Sequence, residues 1–316
     1  MPYNNIISRT DAAALIPVEI STEILQHVAE RNPIMQLAKR LPNMSAAQRR
    51  VPVVNALAQA YFVNGDTGLK QTSEVNWANR FIDAEEIAVI VPIPEAVLDD
   101  ASFDVWASVR PQIEEAISVA ISQAVLFGTN IPASWTTNMG GAGLFAIATA
   151  AGHVMSLANY ADLYEAVLGE TAAGVDGVYM AVEADGYMVN GNIAHPSVRG
   201  LIRNTRDLNG VPIFQNNQLD GVPIYFPTDG TIAAATALMF AGQWDQMVYA
   251  MRQDITYKIL DQAVIQDNTG AIVYNLAQQD MVALRAVVRL GFALPNPINR
   301  MNAVAATRCA FGVLTA

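Results

Sequence analysis

Cysteine is almost absent: Cys309 is the only one in 316 residues. No disulfide can form within the chain, and a cysteine-based zinc site is excluded. A reducing cytoplasm during synthesis fits that usage. Charge is scarce too, at 15% of residues, against roughly 25% in an average soluble domain. Lysine occurs only at Lys39, Lys70 and Lys258, and the formal net charge is −11. Tight nucleic-acid binding rests on cations that neutralise phosphates, so an acidic, lysine-poor chain is a poor candidate for it. Enclosing DNA without gripping it stays compatible. No uninterrupted apolar run approaches the ~20 residues of a membrane-spanning helix. The opening Met1-Pro2-Tyr3-Asn4-Asn5 lacks the basic region and apolar stretch of a signal peptide.

What is abundant is apolar side chain, at 52% of residues. With membrane insertion and secretion set aside, the excess points to burial between subunits. The length permits one large domain or two intimately connected ones, and it is ample for a sizeable core.

The local pattern predicts a mixed α+β chain. Ile16-Pro17-Val18-Glu19-Ile20 reads as extended, and Ser21 caps a short helix to about Ala29 that Asn32-Pro33 ends. Residues 51–91 read as a long two-stranded excursion. Its outgoing arm carries Ala60-Tyr61-Phe62-Val63, its turn is Asn64-Gly65-Asp66-Thr67-Gly68, and its return arm alternates through Val75, Trp77, Phe81, Ile87, Val89 and Val91. Asn79, Asp83 and Glu85 interrupt that apolar parity, which suits a projecting hairpin better than a buried strand.

The strongest local signal follows. Val105, Val109, Ile113, Ile117, Ile121 and Val125 recur every four residues between a capping Asp104 and a terminating Gly128. The spacing predicts a helix roughly 36 Å long, with Pro111 marking a kink or a second start. Residues 129–150 read as loop. Beyond them helix and strand signals alternate: a helix around Leu163 to Leu168, a buried strand at Val178 to Val182, and a short helix from Pro196 to Arg203. Gly210-Val211-Pro212 and Gly221-Val222-Pro223 each lead into extended stretches. A last strand spans 280–294, with Leu284, Ala286, Val288 and Leu290 on one parity, and Pro295-Asn296-Pro297 ends it.

No chemical motif converges. His27, His153 and His195 share no metal-type spacing, and Cys309 lacks a nucleophile signature, so each reads as structural. Adjacent carboxylates at Glu85-Glu86, Asp99-Asp100 and Glu114-Glu115 diverge on a helix or strand and make no acid–base pair. Gly140-Gly141-Ala142-Gly143 lacks the Lys-Ser/Thr of a phosphate loop. The expectation is no enzyme: no catalytic residue, no cofactor and no metal.

The order of elements resembles one family. Val91 to Asp100 is similar to the approach to a long helix in tailed-phage major capsid proteins of the Hong Kong 97-like fold, and Ala124-Val125-Leu126-Phe127-Gly128 is similar to that helix's exit. Leu201 to Gly210, Leu219 to Ile224, Phe240-Ala241-Gly242-Gln243-Trp244 and Asp280 to Arg289 resemble later stretches of the same family. The resemblance implies an N-terminal arm (1–50), an E-loop hairpin (51–90), a peripheral domain with a spine helix (91–150), an axial domain (151–275) and a return to the peripheral domain (276–316). It implies a homo-oligomer of pentamers and hexamers, an icosahedral head shell enclosing DNA in the virion, assembly in the host cytoplasm, and portal and decoration proteins as partners. Encapsulin nanocompartments share the fold and are the alternative. In some members an E-loop lysine cross-links to a neighbour's asparagine; Lys70 stands in that region, but most members do not cross-link, and a solvated loop lysine is the preferred reading. A spine helix starting near residue 104 leaves no room for an N-terminal scaffolding segment, so a separate scaffolding protein is expected.

Overall fold

The computed structural model describes residues 32–63, 68–101, 104–169, 177–205 and 218–316. The expected short helix at 21–29, most of the turn at 64–68, and Gly210-Val211-Pro212 lie outside them.

Chain order begins with helix α1 (Pro33–Leu37) and strands β1 (Lys39–Arg40), β2 (Gln48–Ala56), β3 (Asn76–Asp83) and β4 (Glu85–Pro94). Helices α2 (Glu95–Asp100), α3 (Val105–Phe127), α4 (Ala133–Met139) and α5 (Leu144–Ala151) follow, then β5 (Val154–Ser156), α6 (Leu163–Leu168), α7 (Val178–Ala184), β6 (Gly191–Ala194) and α8 (Val198–Asn204). Apart from a short 3-10 turn at Trp244–Gln246, the regular elements that follow are strands: β7 (Gln218–Leu219), β8 (Val222–Tyr225), β9 (Met239–Gly242), β10 (Val248–Leu260), β11 (Val264–Gln266), β12 (Ile272–Asn275), β13 (Met281–Ala293) and β14 (Phe311–Thr315).

Two larger sheets organise these elements. One has four strands in the order β1-β10-β13-β4, and the other has six in the order β5-β14-β9-β6-β8-β7. Two ribbons, β2-β3 and β11-β12, complete the set. Helix α3 is the link. Asp104 caps it by accepting from the Ala107 amide at 3.1 Å, and Gly128, at φ 72°, ends it. Its buried residues Ile113, Ile117, Ile121 and Val125 join one core with Leu284, Val288 and Phe292 of β13 and with Phe240 and Phe311 of the six-stranded sheet. Val105 and Val109, expected on the same stripe, are only half-buried, although Val109 still packs against that core. Pro111 makes no second start: the helix is continuous through it.

The six-stranded sheet is covered on both faces. Ile193, Phe240 and Val313 face the α3 core, whereas their neighbours Ala194, Met239, Ala241 and Leu314 face a second core with α6, α7 and α8. The period of two along each strand produces that division.

Several expectations need correction. Val178 to Val182 is not a strand but the start of α7. A five-residue apolar run carries no period by itself; here Val178, Tyr179, Ala181 and Val182 form one buried helical face. Residues 129–150 are not loop but contain α4 and α5. The glycines that suggest a loop are their boundaries: Gly140 (φ 81°) ends α4 and Gly143 (φ 89°) precedes α5. The excursion expected over 51–91 is shorter, since β4 leaves β2-β3 and pairs antiparallel with β13. Sheet membership also departs from linear order. β10 lies within 151–275 but belongs to the four-stranded sheet, and β14 lies within 276–316 but belongs to the six-stranded one. Leu284, Ala286, Val288 and Leu290 are buried along β13 as the alternation requires.

Candidate assembly surface

The β2-β3 ribbon pairs from Gln48↔Asp83 to Ala56↔Asn76, with an irregularity after Val54. Only Val53 and Ile82 of it are buried. Towards its far end Phe62 is fully exposed, Leu69 is 91% exposed and Trp77 65%. Each such side chain forgoes roughly 25 cal/mol per Å² of apolar surface left in water. A two-stranded ribbon is marginal on its own, and an apolar concentration of this kind marks a contact surface. A second one lies on the β11-β12 ribbon, where Val264, Ile272, Val273 and Tyr274 are exposed beside Ile259. A third comprises Met301 and Val304 on the segment between β13 and β14, with Met188 exposed as well.

That crossing segment is fastened by a buried polar clasp. The Asp185 carboxylate accepts from the Cys309 amide at 2.7 Å and from Asn302 Nδ2 at 2.7 Å, and its backbone carbonyl accepts from Asn299 Nδ2 at 2.7 Å. His153 Nε2 stands 3.4 Å from the same carboxylate, and His153 Nδ1 lies 3.2 Å from the Phe311 carbonyl. Buried Arg308 donates to the Asn296 side chain and carbonyl and to the Asn302 carbonyl, at 2.9–3.0 Å. The Tyr187 hydroxyl donates to Asn296 Oδ1 at 3.1 Å; burial pushes its pKa up, and the Arg308 charge opposes that. At the chain's other end Asn32 caps α1 and donates to Ser118 and Ser122 of α3.

The residues weighed from sequence are scattered. His27 lies outside the described residues. His153 belongs to the clasp, and His195 Nδ1 accepts from the Ser197 amide at 3.1 Å. Cys309 is buried; desolvation above all pushes its thiol up to about 12, against the opposing backbone hydrogen bond of Phe311 and with a smaller push from the Asp185 charge, so it is no nucleophile near neutrality. Glu85 accepts from Ser134 at 2.6 Å, Glu86 lies 3.9 Å from Arg289, and Glu114 accepts from Tyr257 at 2.8 Å. Glu85 and Glu86 thus turn to different partners. Lys70 is exposed. Among the described residues no group of three or more His, Cys, Asp or Glu could hold a metal ion, and no helix is long and apolar enough to cross a membrane. Sequence reasoning missed the Asp185 clasp entirely. The run of asparagines at 296, 299 and 302 was its only trace.

A family model described as the phage capsid family matches residues 12–301. The chain belongs to the phage capsid family. Among curated relatives, the major capsid protein of Staphylococcus phage 80alpha is 27% identical over 300 residues, covering 91% of this chain and 84% of the relative. Solved structures agree. A chain from Mycobacterium phage Bobi is 31% identical with a TM-score of 0.81, and one from Microbacterium phage Oxtober96 is 29% identical with a TM-score of 0.81; each alignment covers 98% of this chain and 99% of the other. The capsid of a native GTA particle, at 17% identity and TM-score 0.64, shares the fold. This phage capsid protein therefore has the Hong Kong 97-like fold, and its place is the virion. In that light the exposed ribbons are surfaces of a shell subunit.

Proposed function

We propose that this chain self-assembles as pentamers and hexamers into the icosahedral head shell that encloses the phage DNA genome. The observation that carries the reading is the β2-β3 ribbon. Its aromatic and aliphatic side chains are presented to solvent beyond the reach of the subunit's own core, and lying over an adjacent copy would bury them. We place the peripheral part in the four-stranded sheet with α3, and the axial part in the six-stranded sheet with α6 to α8. The residues act by packing and hydrogen bonding, with none in a catalytic role. Low charge suits walls that enclose DNA without binding its sequence.

Identical subunits with self-complementary edges can close at several curvatures. A separate scaffolding protein would select one, and a portal protein and a decoration protein would complete the head. The test is electron microscopy of the chain expressed alone and beside the phage's other assembly proteins. Aberrant shells, tubes or free capsomers alone, corrected by one added protein, support the whole reading. Uniform shells from the chain alone remove the scaffold. A chain that stays monomeric under every condition refutes the assembly reading.

A further inference from the structure

We propose that helix α4 fixes the angle at which the β2-β3 ribbon leaves the subunit, with Trp135 and Asn138 as positioning residues and Arg300 as a brace on the opposite strand. This rests on the reading that the ribbon engages a neighbouring subunit.

The joint is the short stretch Asp83-Ala84-Glu85. There the chain changes partner, from β2 on one side to β13 on the other. A single backbone bond, from the Ala84 amide to the Ala47 carbonyl at 2.8 Å, carries the pairing into this change, and side chains add to its hold on the direction of the strand. Helix α4 supplies them. Trp135 Nε1 donates to the Asp83 carbonyl at 3.1 Å, Asn138 Nδ2 donates to Asp83 Oδ2 at 2.9 Å, and Ser134 Oγ donates to Glu85 Oε1 at 2.6 Å. The helix is itself tied to the sheet. The Trp135 ring meets Phe292 edge-on at 5.3 Å, and Phe292 stacks on Tyr249 at 5.5 Å. The Leu294 amide donates to the Asn138 carbonyl at 3.3 Å.

The other side of the joint has no slack. A Cβ at Gly291 would fall 2.3 Å from the Asp83 carbonyl oxygen, so β13 and the ribbon base meet at backbone distance. The outgoing strand is held separately. The Ile298 amide donates to the Val54 carbonyl at 3.3 Å, and Arg300 Nη2 donates to the Ala58 carbonyl at 2.7 Å. Farther out Phe62 and Leu69 stand in solvent. The ribbon is thus gripped twice, at its base by α4 and again near its far end, where Val54 pairs with Trp77, by the 298–300 segment. Eight residues of β3 span about 26 Å, so a tilt of roughly 10° once either grip loosens moves the far end by about 4–5 Å. That displacement would move the apolar contacts off their seat on a neighbour and alter the curvature at which copies close.

The test uses spin labels at Thr72→Cys on the ribbon and Gln112→Cys on α3, with labelled chain diluted into excess unlabelled chain. Cys309, 1% exposed, does not compete for label. The background carries Asn138→Asp, Asn138→Asp with Asp83→Asn, or Arg300→Ala. Asn138→Asp sets two carboxylates against each other, and the double variant restores one hydrogen bond with donor and acceptor exchanged. The expected result is one narrow label-to-label distance in the parent, a broadened or displaced one in Asn138→Asp, recovery in the double variant and a partial broadening in Arg300→Ala. Unchanged distances in both single variants overturn the proposal, as does a double variant that stays displaced. If Asn138→Asp does not fold, Ser134→Ala, which removes only the α4 bond to Glu85, takes its place, and unchanged distances there and in Arg300→Ala overturn the proposal. Shell diameter, read in parallel, separates the two claims: displaced distances with normal shells keep the grip and remove the neighbour-engagement reading.

Discussion

Replacing Asp185 by alanine should cost this subunit about 3 kcal/mol. The carboxylate accepts from a buried backbone amide, that of Cys309, and from the Asn302 side chain. Hydrogen bonds to an ionised acceptor contribute about 1.5–3 kcal/mol each, and a buried donor left unpaired costs about 1–3 kcal/mol. Cys309 has no water to turn to, being 1% exposed. Asn302 is partly exposed and also donates to Thr307 Oγ1 at 3.2 Å, so its share is discounted. The His153 contact at 3.4 Å adds only where the imidazole is protonated. With a urea slope of about 3 kcal/mol per M, the unfolding midpoint should fall by roughly 1 M. Parent and variant must be compared at one protein concentration, because assembly shifts apparent stability by mass action. Hydrogen exchange should locate the loss at residues 296–310 before it reaches α3. A midpoint unchanged within ~0.2 M would show that the carboxylate does not fasten the crossing segment.

Deleting residues 60–78 should leave a subunit with native-like circular dichroism that forms no closed shells by microscopy, because none of the described residues of that stretch is buried; normal shells would sink the ribbon's assigned role. Gly128→Ala should destabilise by about 1–3 kcal/mol from its left-handed backbone alone, and more because the new Cβ would lie 2.2 Å from the Ala142 carbonyl oxygen; thermal unfolding reads it, and an unchanged midpoint counts against the tight turn. Alkaline pH should weaken the fold through Tyr257. Burial first, and the bond to Glu114 second, push its pKa from 10.0 to about 12, so the folded state keeps a proton that the unfolded state gives up. That contribution is full below about pH 10 and is lost as pH rises through about 12. Tyr257→Phe should flatten the decline of the urea midpoint with pH over this window, and a decline as steep as the parent's would refute the assignment.

Where a stretch of chain had to satisfy only its own periodicity, the sequence was legible. The four-residue recurrence from Val105 to Val125 with Asp104 and Gly128 at its ends is α3, and the alternation at Leu284, Ala286, Val288 and Leu290 is β13. Both are long enough for a period to be counted. Val178 to Val182 failed because five apolar residues fit either period, and burial against β14 chose the helix. The glycines at 140 and 143 misled because a glycine marks an end of structure as readily as its absence.

The sequence by itself determined the class of the molecule: little charge, one cysteine, much apolar surface, and an order of elements that placed it among shell-building proteins. Tertiary structure alone decided which strands pair. β14 joins β5 and β9 although more than 65 residues separate it from β9 and over 150 from β5, and β4 turns from the ribbon to β13. It alone assembled the Asp185 clasp and the α4 grip, whose members are 124 and 55 residues apart at their key contacts. The physical reason is that a strand's pattern states which face it buries, while its edge partner is chosen by backbone groups that every residue carries alike.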